Sequence, residues 1–290
     1  MKDAFEDGAA FIPYLAAGDT GWEDAPPDIE TAKATTAAYV EALVDGGADV
    51  VELGLPFSEP IADGPTIQQA SVRALEAGMT AEHFFDLVRS LAVEVPLVVM
   101  TYYNVIYRYG GDPGVEAFVR DAADAGINGI IVPDLPVEES APIREACEAN
   151  GLHLIFVAAP TTRDDRLAQI MDAGSGFLYV QARLGTTGSR TDVSDHTQET
   201  LARIRDFESK SARAPIPKAV GFGVSTGEQA AEIIAAGADG VIVGSALVDI
   251  VAGGDTEEGS VVAQLTRKAQ ELKKGARTGR ANRTTGPEAT

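Results

Sequence analysis

Short runs of apolar residues alternate along this chain with longer stretches in which apolar side chains recur every three or four positions. The short runs are rich in Val, Ile and Leu and end at Gly, Pro or Asp, which is typical of buried β-strands. Eight strands are predicted, at 9–16, 50–54, 97–102, 129–133, 152–157, 176–180, 217–221 and 240–244. The helical periodicity predicts helices at 26–44, 66–77, 81–91, 114–125, 138–149, 163–173, 194–207, 227–236 and 259–274.

This alternation predicts a parallel sheet covered by helices on both faces. A weak repeat supports it, because a Gly stands at the same helix-to-strand turn before four strands, at Gly47, Gly126, Gly174 and Gly237. Eight repeats in 290 residues favour an α/β fold of the (β/α)8 TIM-barrel type as a single domain over 1–274. A doubly wound sheet is the less favoured alternative. The Gly- and Arg-rich segment 275–290, with Arg277, Arg280 and Arg283, is expected to be a disordered, solvated tail.

Net charge and apolar run lengths indicate which partners and which cellular compartment to expect. The formal net charge of −21 argues against nucleic-acid binding, and its even spread predicts an acidic surface like that of halophilic proteins. No apolar run reaches the roughly 18 residues of a membrane span, and no signal peptide is evident, so a cytoplasmic location is expected. The single cysteine, Cys147, is expected inside a helix and without metal-ligand companions.

The stretch from Val50 to Pro65 contains the first candidate chemistry. Glu52 interrupts an apolar strand, where an ionised carboxylate is costly, and Asp63 lies in the loop that follows. Thr66 is the expected N-cap of the next helix. Carboxyl groups in different surroundings can divide acid and base roles between them. The structural alternatives are a Glu52–Arg pair in the core and a turn-forming role for Asp63.

Glycine-rich loops follow the last three predicted strands. In a barrel of this type the active groups lie at the carboxyl ends of the strands, and phosphate commonly binds after the last two. Backbone amides approach an anion closely at glycines and at the first turn of a helix. The loops 185–189, 221–225 and 244–245 together therefore predict a phosphate site, although each alone could be an ordinary turn.

Several large side chains are expected at the same end of the barrel, where they would form a flat apolar slot suited to an aromatic ring. They are Tyr14, Met100, Tyr102, Pro133, Tyr179 and Phe222. Each could equally be an ordinary core residue. The Gly- and Thr-rich segment 183–194 is predicted to be a lid that closes over the slot.

From residue 4 to about 272 the chain resembles the tryptophan synthase α subunits. The resemblance rests on ELGLPFSEPIADGPTIQQAS, IIVPDLPVEES, the TTG of the lid segment, GFGVS and ADGVIVGSALV. It implies cleavage of indole-3-glycerol phosphate to indole and glyceraldehyde 3-phosphate, with no cofactor in this chain. It also implies a pyridoxal-phosphate-containing β subunit, joined to this chain in an α2β2 heterotetramer, that receives the indole.

The resemblance also implies roles for individual residues. Glu52 and Asp63 match the catalytic glutamate and aspartate of the family. Tyr179 matches the residue beside the catalytic groups, and Thr187 matches the lid threonine that orients the aspartate. The family's phosphate-binding positions are matched by Gly188, Gly223, Gly244 and Ser245.

Two other functions remain open from the residues. A sugar-phosphate epimerase or an indole-glycerol-phosphate synthase on the same barrel would need a metal-binding His set or a catalytic Lys. His83, His153 and His196 are scattered, and Lys218 is the one lysine within a predicted strand. The other alternative is a non-catalytic activator of a β subunit, which the presence of both Glu52 and Asp63 disfavours.

Overall fold

The computed structural model describes residues 1–21, 25–111, 113–182, 192–210, 214–221, 223–257 and 259–284. Within them, nine parallel strands form one sheet in the order β5-β4-β3-β2-β1-β9-β8-β7-β6. The strands are β1 (Ala10–Ala16), β2 (Val51–Gly54), β3 (Leu97–Met100), β4 (Ile127–Ile131), β5 (His153–Ile155), β6 (Val157–Ala158), β7 (Leu178–Gln181), β8 (Lys218–Gly221) and β9 (Gly240–Val243).

The predicted fifth strand is split at Phe156. Its first part, β5, pairs with β4, and its second part, β6, pairs with β7. Because the two parts are consecutive in the chain, they join the two ends of the sheet and make a nearly closed (β/α)8 barrel. The predicted fold class is therefore confirmed, and the doubly wound alternative is excluded.

The described helices cover the outer face of the barrel. They are α1 (Ile29–Asp45), α2 (Pro65–Glu76), α3 (Ala81–Ser90), α4 (Tyr103–Arg108), α5 (Val115–Ala125), α6 (Ala141–Asn150), α7 (Asp164–Ala173), α8 (Asp192–Lys210), α9 (Gly227–Ala235), α10 (Ser245–Gly253) and α11 (Val261–Thr284). The main core lies between these helices and the strands, and it includes Cys147, which is buried in α6 as predicted. No helix in the described ranges is long and apolar enough to cross a membrane.

Two helix predictions need correction. Thr66 is not the N-cap of α2, because the helix begins at Pro65 and Gly64 occupies the cap position. Proline suits the first helical position, where its missing N–H would have no intrahelical partner. The short helix α4 was not predicted, since the apolar run of β3 continues into it without a turn signal.

The shared glycine turn is confirmed at three of its four positions. Gly47, Gly126 and Gly237 have φ angles of 102°, 103° and 110°, the left-handed region that glycine adopts without a steric penalty. Gly174 was predicted to do the same, and this is wrong. It is extended, with φ −78°, and Gly176 adopts the left-handed conformation instead.

The prediction of a disordered tail from residue 275 is wrong as far as Thr284, because α11 continues to that residue. Hydrogen bonds attach α11 to the barrel, since the Lys273 ammonium donates to Asp49 (2.8 Å) and to the Ala9 carbonyl (3.0 Å). Arg283 is likewise not a solvated tail residue, because it donates to the carbonyls of Ile234 and Ala238 at the end of α9. Residues 285–290 lie outside the described part.

Candidate active site

Glu52 lies in the middle of β2, with its side chain inside the barrel. It is 1% exposed, and its Oε2 atom has no hydrogen-bond partner among the described residues. Burial, followed by the negative charge of Asp63, raises the pKa of Glu52 from 4.5 to about 8. The alternative of a Glu52–Arg pair in the core finds no support in the described structure, so this carboxyl group is free to act on a ligand.

Asp63 reaches the same space from the loop between β2 and α2. The Tyr102 hydroxyl donates to Asp63 Oδ2 at 2.9 Å and accepts the backbone N–H of Ala62 at 3.0 Å. Burial raises the pKa of Asp63, and the hydrogen bond from Tyr102 opposes that rise. The side chain of Asp63 is therefore held by a residue between β3 and α4, in contrast to an aspartate that only forms a turn.

The backbone of this loop is secured by the helix that follows it. The Gln68 side chain on α2 donates to the carbonyl of Asp63 at 2.9 Å and to that of Pro60 at 3.3 Å. The N–H of Asp63 also donates to the Pro60 carbonyl at 3.1 Å. The first turn of α2 thus fixes the position from which Asp63 enters the pocket.

One pocket brings the two acids and most of the predicted binding residues together. It is lined by Tyr14, Glu52, Asp63, Gly64, Ile67, Met100, Tyr179, Gly223, Ile242, Gly244 and Ser245. Tyr102 and Pro133 are not among the lining residues, although Tyr102 holds Asp63. The predictions for Thr187, Gly188, Phe222 and most of the lid segment fall outside the described residues.

Sequence reasoning missed three lining residues, namely Gly64, Ile67 and Ile242. Two of them had a signal in the sequence. Ile67 lies in the first turn of α2, close after Asp63, and Ile242 is two residues before Gly244, on the same face of the last strand. A residue two positions before a predicted ligand contact on a strand is therefore itself a candidate.

A second wall of the pocket is built from backbone, at the ends of β8 and β9. Gly223 has φ 75°, a conformation that favours glycine, and Gly244 directly precedes α10, which begins at Ser245. The first amide groups of a helix have no intrahelical acceptor, and the helix dipole adds partial positive charge there. Gly223, Gly244 and Ser245 therefore have the backbone chemistry that a phosphate site needs, and their binding of phosphate stays a prediction.

The histidines and the lysine that the alternative enzymes would need do not line this pocket. The described residues contain no cluster of His, Cys, Asp or Glu that could hold a metal ion. Lys218 stands at the first position of β8, the end opposite the pocket, where it pairs with Glu208 (3.2 Å) and Asp239 (3.3 Å). His83 binds the Gly78 carbonyl on the outer helix layer. This arrangement disfavours a metal-dependent epimerase and a lysine-dependent synthase.

Comparison with known proteins identifies the family. The family model described as "Tryptophan synthase alpha chain" matches residues 1–277. The chain is 56% identical to the tryptophan synthase alpha chain of Haloferax volcanii over 294 residues, covering 100% of this chain and 99% of that one. It is 58% identical to the alpha chain of Natronomonas pharaonis, again covering 100% and 99%.

Solved structures agree with the sequence comparison. A structure of the tryptophan synthase a2b2 complex of Pyrococcus furiosus matches with a TM-score of 0.77 and 39% identity, covering 92% of this chain and 98% of that one. The α subunit from Legionella pneumophila matches with a TM-score of 0.75 and 30% identity, covering 92% of each chain. Together with a barrel that brings Glu52 and Asp63 into one pocket, these matches show that the chain belongs to the tryptophan synthase alpha chain family.

Proposed function

We propose that Glu52 is the proton donor and Asp63 the charge-stabilising carboxylate in the cleavage of indole-3-glycerol phosphate. The reaction itself follows from the family: the chain is a carbon–carbon lyase that forms indole and glyceraldehyde 3-phosphate. The observation that carries the assignment of roles is the buried Glu52 carboxyl group, whose Oε2 atom has no hydrogen bond to any described residue and which lines the same pocket as Asp63.

The bond that breaks joins C3 of the indole to the glycerol phosphate chain. Protonation of C3 makes an indolenine whose ring nitrogen carries positive charge. The hydroxyl next to C3 then loses its proton, its oxygen forms the aldehyde, and the electrons of the carbon–carbon bond return to the indole ring. The site must therefore supply one proton, accept one proton and stabilise a cation.

Glu52 can perform both proton transfers. With a pKa of about 8 it is protonated near neutral pH, so it can donate a proton to C3. Once ionised, it is a base strong enough to take the proton of the substrate hydroxyl. Burial serves this role because an exposed glutamate would already be ionised at neutral pH.

Asp63 fits the other requirement. Tyr102 engages only one of its oxygens, which leaves Oδ1 for the N–H of the indole ring. A negative charge placed there stabilises the positive charge that develops on the ring nitrogen. The wall of Gly223, Gly244 and Ser245 then holds the phosphate, with Gly188 as a further proposed contact.

The chain works with a partner. The family and the Pyrococcus furiosus a2b2 complex indicate an α2β2 assembly, in which the β subunit receives the indole. We propose that the β subunit carries pyridoxal phosphate and that this chain needs no cofactor for its own reaction.

The test replaces each acid by its amide. Glu52→Gln should lower the rate of indole release by at least about a thousandfold, because glutamine has no acidic proton to give to C3. Asp63→Asn should cause a similar loss, and both variants should still bind inorganic phosphate. Glu76→Gln, which alters an exposed glutamate at the end of α2, is the matched control and should keep wild-type activity.

Indole release is measured with and without the β subunit. Substantial activity of the Glu52→Gln variant would overturn the assignment of the proton donor. A wild-type chain that released no indole in either condition would instead indicate a protein that only activates its partner.

A further inference from the structure

The side chain of Tyr14 crosses the floor of the pocket between the two walls. A Cβ atom added at Gly244 would lie 3.6 Å from the Cβ and Cδ1 atoms of Tyr14, so the base of the side chain packs on the phosphate wall. At the other end, a Cβ atom at Gly54 would collide with the Tyr14 hydroxyl. The ring therefore runs from Gly244 to the end of β2, and the hydroxyl lies beside the strand that carries Glu52.

The register of β1 and β2 places the Tyr14 hydroxyl close to the position of Glu52 along the barrel axis. Tyr14 on β1 is the Cα partner of Glu52 on β2. The hydroxyl extends to Gly54, two residues further along β2 and on the same face of the strand as Glu52. It is thus one step closer than Glu52 to the open end of the barrel, where the loop carrying Asp63 begins.

The hydroxyl of Tyr14 is an unused hydrogen-bond donor. Tyr14 is only 5% exposed, yet its hydroxyl makes no hydrogen bond to any described residue. Burial, followed by the charges of Asp63 and Glu52, raises its pKa well above 10, so the proton stays on the oxygen. Tyr14 lines the pocket, so a ligand there can accept the hydrogen bond that this hydroxyl offers.

The proposed binding mode puts one part of the substrate directly above this donor. With the indole N–H at Asp63 and the phosphate at Gly244 and Ser245, the connecting chain must pass over the ring of Tyr14. That chain carries two hydroxyl groups. Their oxygens can accept a hydrogen bond. Ile67, Met100 and Ile242 in the pocket lining offer no side-chain donor, which leaves the hydroxyls of Tyr14, Tyr179 and Ser245, besides the Glu52 carboxyl group, as the neutral side-chain donors of the lining.

We propose that the Tyr14 hydroxyl donates a hydrogen bond to a hydroxyl oxygen of the glycerol chain, and so selects substrates whose chain is hydroxylated. The inference rests on the proposed function, since it takes the substrate's orientation from the roles of Asp63 and the phosphate wall. Tyr14 keeps its proton throughout, so no bond to hydrogen is broken at this residue.

Tyr14→Phe tests this proposal because it removes only the hydroxyl oxygen. Two ligands are compared, namely indole-3-glycerol phosphate and an analogue in which a plain propyl chain joins indole to phosphate. The variant should lose about tenfold in kcat/KM for the substrate, equivalent to one hydrogen bond of about 1.4 kcal/mol. Its inhibition constant for the analogue should change by less than about twofold, because the analogue has no chain hydroxyl.

The matched control is Tyr109→Phe, which removes a hydroxyl bonded to Asp121 in the outer layer and should leave both constants unchanged. A second variant, Gly54→Ala, displaces the same hydroxyl from the neighbouring strand and should lose less when Tyr14 is already Phe. Equal losses for substrate and analogue, or no loss for either, would overturn the proposal. An inactive wild-type chain would instead overturn the proposed function.

Discussion

The Tyr102 hydroxyl donates a 2.9 Å hydrogen bond to Oδ2 of Asp63, and the two residues are 39 positions apart. The hydroxyl oxygen of Tyr102 also accepts the N–H of Ala62. Tyr102, which lies between β3 and α4, therefore binds both the side chain and the backbone of the loop after β2. Parallel strands bring these segments to the same end of the barrel. Asp63 is therefore aligned by tertiary structure: its Oδ2 atom accepts from Tyr102, and its Oδ1 atom has no hydrogen bond to the part of the chain that the structure describes.

Tyr102→Phe should shift the acid side of the pH–activity profile upward. The hydrogen bond from Tyr102 lowers the pKa of Asp63, so its removal leaves the effect of burial unopposed and the pKa rises further. Asp63 must be ionised to act, so activity will disappear at a higher pH than in the wild type. The measurement is kcat/KM between about pH 4 and pH 9. An acid limb that stayed in place or moved downward would contradict this role of Tyr102.

The wild-type profile should itself be bell-shaped. Activity should fall as the pH rises through about 8, because Glu52 then loses the proton that it donates to C3. It should also fall on acidification, as Asp63 becomes protonated at a pH above the ordinary range of aspartate. The profile of kcat/KM reports these groups in the free enzyme. A rate that kept rising above pH 9 would exclude Glu52 as the proton donor.

The Glu52→Gln variant should have a larger free energy of unfolding than the wild type at high pH, and this difference should grow as the pH rises. The folded-state pKa of Glu52, about 8, exceeds the ordinary value of 4.5, so the folded protein holds a proton that the unfolded chain releases. Stability is therefore lost as the pH rises from about 4.5 to about 8, and a neutral glutamine avoids that loss. We expect a gain of roughly 1–4 kcal/mol at pH 8 over the wild type.

The free energy of unfolding of both proteins, measured in denaturant at pH 5 and pH 8, tests this expectation. The exposed variant Glu76→Gln controls for the loss of one negative charge and should show no comparable gain. If the difference between the Glu52 variant and the wild type were the same at both pH values, the folded-state pKa of Glu52 would not be raised.

Arg283→Ala should destabilise the protein although it lies in the predicted tail. The guanidinium donates to the Ile234 carbonyl (2.6 and 3.0 Å) and to that of Ala238, beyond the end of α9. The Ile234 carbonyl also accepts the N–H of Gly237 (3.0 Å), so the guanidinium supplements the backbone bonding at the end of α9. Its removal should cost about 1–2 kcal/mol. Arg277→Ala, an exposed position on the same helix, should change the free energy of unfolding by less than about 0.5 kcal/mol.

The extent of α11 beyond residue 274 could not be predicted from the sequence pattern. Apolar periodicity fades after residue 274, which suggested that the helix ends there. In the structure Gly275 and Gly279 pack against the backbone of α9 at Gly227 and Ala231, too closely for a Cβ atom. Glycine in a helix usually signals instability, but here it permits a backbone contact that a helix-forming side chain would prevent.

The sequence by itself determined the alternation of strands and helices, the barrel class and the candidacy of Glu52 and Asp63. Hydrophobic periodicity and the cost of a buried charge are local properties, so they can be read along the chain. Only the tertiary structure decided the split of the fifth strand, the hydrogen bond from Tyr102 to Asp63 and the position of the Tyr14 side chain between Gly244 and Gly54. Those features depend on contacts between residues far apart in the chain, which no local pattern encodes.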